Sequence, residues 1–180
     1  MRVVKFGGSL LACGALSACL EKLTRLSGNT LVVPGGGVFA EQVRIAQGIY
    51  GFNDLAAHRM AILAMQQMAL LFQGLQPDFR LHSTIQNLPC QQGVTIWSPQ
   101  PDELDQAGIP ASWNITSDSL AAWLAGQVAA DELILVKATP VPAEADLPTL
   151  RQLGIIDAAF CDFAQLLACP IKVIQQASFC

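Results

Sequence analysis

A few residues in this chain are of types that a packed interior does not need. Lys5 stands inside the apolar run RVVKF at 2–6, two residues before Gly7-Gly8 and the hydroxyl of Ser9. A second apolar run, TLVVP at 30–34, ends on Gly35-Gly36-Gly37. Glycines between a parallel strand and a helix let successive backbone N–H groups point into one concavity. The positive end of the following helix reinforces it, so both turns suit a phosphate. Each turn taken alone also fits a tight structural turn. An ammonium within an apolar strand is costly unless it meets an anion. Lys137, at the end of LILVK at 133–137, repeats the anomaly, and the chain has only four lysines. A phosphoryl group held between two ammonium groups is the electrostatic arrangement that phosphoryl transfer requires. Asp118, flanked by Ser117 and Ser119, could orient such lysines or serve only as a first-turn helix carboxylate.

Other phosphate signatures fit less well. No G-x-x-x-x-G-K-[ST] occurs, so the Walker type of P-loop is excluded. Residues 35 to 40 do match the dinucleotide fingerprint G-x-G-x-x-A, with Asp54 at about the right distance. Asp54, however, is expected after a helix and a Gly-Ile-Tyr-Gly turn at 48–51 rather than after a second strand. A small dinucleotide-binding oxidoreductase therefore stands only as an alternative.

These residues need elements to position them. Short β-branched runs alternate with longer helical patterns, which predicts a three-layer αβα sandwich around a mainly parallel sheet. The expected strands are 2–6, 30–34, a weaker one within 78–85, 94–97, 133–137 and 171–174. Helices are expected over 10–26, 38–49, 55–72 with Asn53 or Asp54 as cap, and 120–130. A short helix near Leu150 and a segment over 157–167 complete the pattern. Both glycine turns then fall at carboxyl ends of strands, where open α/β sheets bind ligands.

Composition sets the outer limits. The chain has 180 residues, 52% of them apolar and only 13% charged, which excludes disorder and predicts a single domain over 1–180. The net charge of −4 and the lack of any Lys/Arg run argue against nucleic acid. His58, Arg59, Gln66 and Gln67 interrupt the longest apolar stretch, between Leu55 and Phe72, so no membrane span is expected. That stretch is apolar around most of its circumference, as suits burial or a subunit contact. Lys5 and Gly7-Gly8 break any signal-peptide core at the N-terminus. The six cysteines, at 13, 19, 90, 161, 169 and 180, show no C-x-x-C and no metal spacing. Reduced thiols, a cytoplasmic setting and no metal ligands are the expectation.

Four segments together, VVKFGGSL, LVVPGGG, ITSDS and the buried strand before a Pro-rich loop, resemble the amino acid kinase superfamily in order and spacing. That superfamily includes carbamate, acetylglutamate, uridylate and isopentenyl phosphate kinases. AHRMAI at 57–62 and SWNITSDSL at 112–120 are similar to the small kinases of methanofuran biosynthesis, which convert an aminomethylfuran methyl phosphate to its diphosphate. Related chains occur in methylotrophic bacteria that make a similar one-carbon carrier.

The resemblance implies ATP with Mg²⁺ as cofactors and a small phosphorylated or carboxylated acceptor. It places Lys5, Gly7, Gly8 and Ser9 at the transferring phosphoryl group, and Gly35, Gly36 and Gly37 at the acceptor phosphate. Asp118 would position the lysines, with Asn114 and Thr116 near the acceptor. His58 would either touch the acceptor or act as a hydrogen-bonded core histidine. The resemblance also implies a homodimer or higher homo-oligomer built through the helix between Leu55 and Phe72. Two departures stand out. Relatives carry T/S-D-V-D-G after the strand that bears Lys137, where this chain reads Lys137-Ala138-Thr139-Pro140-Val141. The glycine-rich segment with a second lysine in larger members is missing, so the nucleotide-binding part is expected to be shortened, with Lys137 standing in for that lysine. The blander alternative is a catalytically degenerate homologue that binds a phosphorylated small molecule or a partner enzyme.

Overall fold

The computed structural model describes residues 1–86, 88 and 92–180, so Cys90 lies outside the described residues. The strands are β1 (Arg2–Phe6), β2 (Asn29–Pro34), β3 (Arg80–His82), β4 (Gly93–Trp97), β5 (Glu132–Lys137) and β6 (Ile171–Gln175). They form one six-stranded sheet in the order β3-β4-β2-β1-β5-β6, with every pair parallel. From β1 the chain steps to β2 on one side, where β4 then inserts between β2 and the edge strand β3, and to β5 and β6 on the other. This reversal of direction opens a crevice at the carboxyl ends of the central strands.

Helices α1 (Ser9–Ala12), α2 (Leu16–Thr24) and α9 (Gln176–Phe179) pack against Val4, Phe6, Val32, Ile134 and Val136 on one face. Helices α5 (Pro101–Gln106), α6 (Ser117–Gln127), α7 (Leu147–Gln152) and α8 (Phe160–Ala164) pack against Val3, Leu31, Val33, Leu133 and Leu135 on the other. Strand periodicity explains the split, since alternate residues point to opposite faces. Helix α4 (Asp54–Leu75) joins both cores, placing Ile62 and Met65 in one and Met68 and Phe72 in the other. Helix α3 (Gly37–Tyr50) lies along it. The architecture is thus the expected αβα sandwich.

Local details depart from the sequence reading. The helix expected over 10–26 is two helices, because Gly14 adopts φ 74° after Cys13 closes α1. The strand expected within 78–85 is confined to β3, which pairs with β4 through Arg80, Leu81 and His82. Helix α6 begins three residues before the expected Leu120 and ends before Ala130. Helix α5 escaped the reading although Pro101 stands in its first turn with Asp102 and Glu103, a legible start signal. Helix α4 is long and apolar enough by composition to cross a membrane, but Ala57, Ile62, Met65, Met68 and Phe72 are buried within the fold.

Candidate active site

The site begins with strand register. In β1 and β5, Lys5 pairs with Leu135, so Lys137 lies on the same sheet face two residues farther along the neighbouring strand. Both ammonium groups meet one carboxylate brought over that face by the first turn of α6. Lys5 Nζ lies 2.7 Å from Asp118 Oδ1, and Lys137 Nζ donates to Asp118 Oδ2 at 2.6 Å. The three residues are 4–7% exposed, so each charge depends on the others. Burial by itself raises the Asp118 carboxyl, but Lys5 and Lys137 outweigh it and hold the group below the usual carboxylate range. Burial, with Lys5 nearby, lowers Lys137 to about 8 despite the opposing pull of Asp118.

The two glycine turns meet beside this triad. Gly7 N–H donates to Val136 O at 3.0 Å and Gly35 N–H to Phe6 O at 2.8 Å, which ties each turn to the neighbouring strand. A Cβ on Gly8 would sit 2.3 Å from Gly37 N, and one on Gly35 would sit 2.6 Å from Gly8 N. Backbone touches backbone there, and only glycine allows it. The first turn leads into a helix of only four residues. Its helix dipole is therefore slight, and attraction for an anion at that turn rests on backbone N–H groups and the lysines. Helix α3, at the second turn, has fourteen residues and a full dipole.

A residue that the sequence reading did not single out holds α6 in place. The Thr116 side chain does not cap its helix. Instead, Asp157 Oδ2 accepts from Thr116 N at 2.9 Å, Thr116 Oγ1 at 2.8 Å and Ser119 N at 3.0 Å, while Ser119 Oγ donates to Asp157 Oδ1. Asp157 lies in the connection before α8, where no local anomaly in the sequence marks it. Its cap fixes the helix turn that carries Asp118.

Two cavities flank the turns and share Thr116. One, of about 340 Å³, is lined by Lys5, Gly7, Gly8, Ser9, Asp118 and Lys137, with Asp157 and Thr139 on its far wall. The other, of about 180 Å³, lies between α3, α4 and the segment before α6, and takes in Gly36, Gly37, Arg44, Asp54, His58 and Trp113. Lys5, Asp118, Lys137, Gly7, Gly8 and Ser9 are thereby gathered in the first, and Gly36, Gly37 and His58 in the second. Gly35 and Asn114 line neither, and Asn114 is exposed with its carbonyl accepting from Ala159 N–H. His58 is 6% exposed, its Nε2 has no hydrogen-bond partner, and burial lowers its pKa against the opposing effect of Asp105. Among the described residues, no group of three His, Cys, Asp or Glu side chains could hold a metal ion. Nothing supports the dinucleotide alternative, because Asp54 opens α4 instead of closing a strand.

A parallel sheet with glycine turns at its carboxyl edge, and lysines converging on a buried carboxylate beside them, defines an open α/β protein whose crevice is suited to an anion such as a phosphate. Residues 1–141 match the model of the amino acid kinase family, and the chain belongs to that family. It is 28% identical over 164 residues, covering 88% of this chain and 74% of the relative, to the (5-(aminomethyl)furan-3-yl)methyl phosphate kinase of Methanocaldococcus jannaschii. The fold is that of uridylate kinase from Archaeoglobus fulgidus, with TM-score 0.70 and 17% identity over 97% of this chain and 91% of that one. Aspartate kinase from Synechocystis superposes with TM-score 0.71 and 15% identity over 98% of this chain and 38% of that one. Family and relative together support kinase function.

Proposed function

We propose that this protein transfers the γ-phosphoryl group of ATP to a small phosphorylated acceptor, and that the acceptor is an aminomethylfuran methyl phosphate or a close analogue from one-carbon carrier biosynthesis. The observation that carries this reading is the shared carboxylate: Asp118 holds Lys5 and Lys137 at one edge of a cleft whose floor is the Gly7-Gly8 turn. The smaller cavity supports the acceptor class. On a scale where about 150 Å³ admits a benzene ring, a cavity of about 180 Å³ suits one small ring.

In this reading, an oxygen of the acceptor phosphate attacks the γ-phosphorus, the bond to the β,γ-bridging oxygen breaks, and ADP leaves. A phosphate acceptor has no proton that must be removed, so no general base is required. The chain's task is to gather charge and hold the line of attack. Lys5 and Lys137 neutralise the transferring group, Gly7 and Gly8 offer N–H donors, and Asp118 keeps both ammonium groups aimed. Gly36 and Gly37, opening α3, face the acceptor phosphate. The triad's carboxylate is fully engaged by lysines, so Mg²⁺ would be held through nucleotide phosphate oxygens and would supply further charge neutralisation there. A cleft beside the 138–146 loop, lined by apolar Val141, Pro142 and Leu150 together with polar Asp146, Gln175 and Ser178, offers walls for the base.

Four apolar side chains of α4, Leu55, Met60, Leu63 and Leu70, are 39–58% exposed. With Ile45, Ile49 and Tyr50 of α3, they form the face through which a homo-oligomer assembles in this reading.

The test is turnover. Purified protein with ATP, Mg²⁺ and aminomethylfuran methyl phosphate should yield ADP and the diphosphate, followed by ³¹P NMR. Binding of ATP by calorimetry without any ADP formation across a panel of phosphorylated acceptors would overturn the reading.

A further inference from the structure

The acceptor cavity is chemically lopsided. At one end stand Gly36 and Gly37 with the first turn of α3, whose N–H groups have no intrahelical partners. A Cβ on Gly36 would lie 3.7 Å from Ala61 O, which sets this end level with Ala61 of α4. Asp54 comes seven residues earlier on α4, about 10 Å away along the helix axis. His58 stands between the two levels, buried and with Nε2 unpartnered. A buried ring nitrogen without a partner on a cavity wall calls for a polar group in the ligand.

The far end is built around Asp54. Gln47 Nε2 donates to Asp54 Oδ1 at 2.9 Å and to Phe52 O at 3.1 Å, and Gln47 Oε1 accepts from Trp113 Nε1 at 2.6 Å. The network occupies both amide hydrogens of Gln47 and ties the segment before α6 to α3 and α4. The cation already present, Arg44, lies 4.1 Å from the centre of the Trp113 ring. Its Nε is 3.9 Å from Glu41 Oε2. Its charge is thus met by an aromatic face and a carboxylate. Asp54, exposed in the first turn of α4, has the helix N-terminus and a neutral amide beside it but no cationic side chain in ion-pair reach among the described residues.

We infer that Asp54 recognises a cationic group at the end of the acceptor remote from the reacting phosphate, with Gln47 and Trp113 as positioning residues that hold its carboxylate. In the acceptor proposed above that cationic group is the aminomethyl group, and Asp54 is the residue that selects for it. The inference rests on the acceptor reading of this cavity given above.

The experiment compares two acceptors, aminomethylfuran methyl phosphate and the analogue in which a methyl group replaces the aminomethyl group. The wild-type chain should favour the amine by at least about tenfold in kcat/KM, roughly the factor that one modest polar contact supplies. Asp54→Asn keeps an oxygen for Gln47 and removes the charge. It should bring the two acceptors to near parity, with the loss falling in KM for the amine. Equal use of both acceptors by the wild type, or a preference that survives Asp54→Asn, would overturn the inference and leave the kinase reading intact. If neither acceptor is phosphorylated, the aminomethylfuran assignment fails, and calorimetric binding of the same two compounds decides the inference by the same comparison. Preference for the amine that disappears in Asp54→Asn supports it, and equal binding overturns it.

Discussion

Lys137 donates to Asp118 across nineteen positions of sequence, at 2.6 Å and with both side chains buried. Lys5 reaches the other oxygen of the same carboxylate. Whatever depends on the aim of either ammonium group therefore depends on Asp118.

Lys5→Ala should severely slow phosphoryl transfer while the protein stays folded, because Lys137 still compensates the buried Asp118. Loss of one preorganised charge contact at a reacting group is expected to lower kcat by about 10²–10³. Lys137→Met should do the same. Rates measured alongside circular dichroism and melting curves decide it, and wild-type turnover by either variant would remove that lysine from the mechanism.

The rate should fall as pH rises through about 8, the value to which burial and Lys5 lower Lys137, because the ammonium must be charged to act. Stability responds with the opposite sign. The unfolded chain keeps this proton up to the ordinary 10.5, so between those values the unfolded state binds more protons. The contribution of this group to stability then rises with pH. Denaturant titrations of wild type and Lys137→Met across that interval should differ in slope, and parallel curves would contradict the assignment.

Gly8→Ala forces a Cβ to 2.3 Å from Gly37 N. Backbone cannot yield as a flexible side chain does, so a destabilisation of about 1–3 kcal/mol is expected, with activity lost as the turns separate. Gly48→Ala, where nothing lies within 4 Å of the added carbon, is the control. Comparable melting temperatures for the two variants would show that the turns do not require their close contact.

Removing the carboxylate that caps α6 should act at a distance. Asp157→Ala leaves the N–H groups of Thr116 and Ser119 without their acceptor, at a cost of about 1.5–3 kcal/mol. The first turn of α6 then loosens, and kcat should drop with little change in the acceptor KM. A variant that melts lower yet turns over at the wild-type rate would show that Asp118 does not need this support.

If the exposed face of α4 builds the oligomer, Leu63→Asp combined with Leu70→Asp should yield a monomer. Light scattering after size exclusion reports it directly. A wild-type chain that is already monomeric at micromolar concentration would dismiss the interface.

Much of this protein could be read from its sequence, for a physical reason. Features that conflict with their own surroundings show themselves locally. A lysine inside RVVKF, a lysine ending LILVK and glycines at strand ends are costly without a partner or a special backbone, so their presence predicts a site. The alternation of buried strands with helices is likewise local and predicts the parallel sandwich. The tertiary structure decided everything that depends on which strand lies beside which. Lys5 and Lys137 share a carboxylate only because β5 pairs with β1, 130 residues away in register between Arg2 and Glu132. Asp157 and Gln47 are ordinary polar residues in sequence and become a helix cap and a carboxylate anchor only through long-range hydrogen bonds. Gly8 and Gly37 explain each other in the same way. Their need for glycine comes from a contact between two turns that neither turn encodes alone.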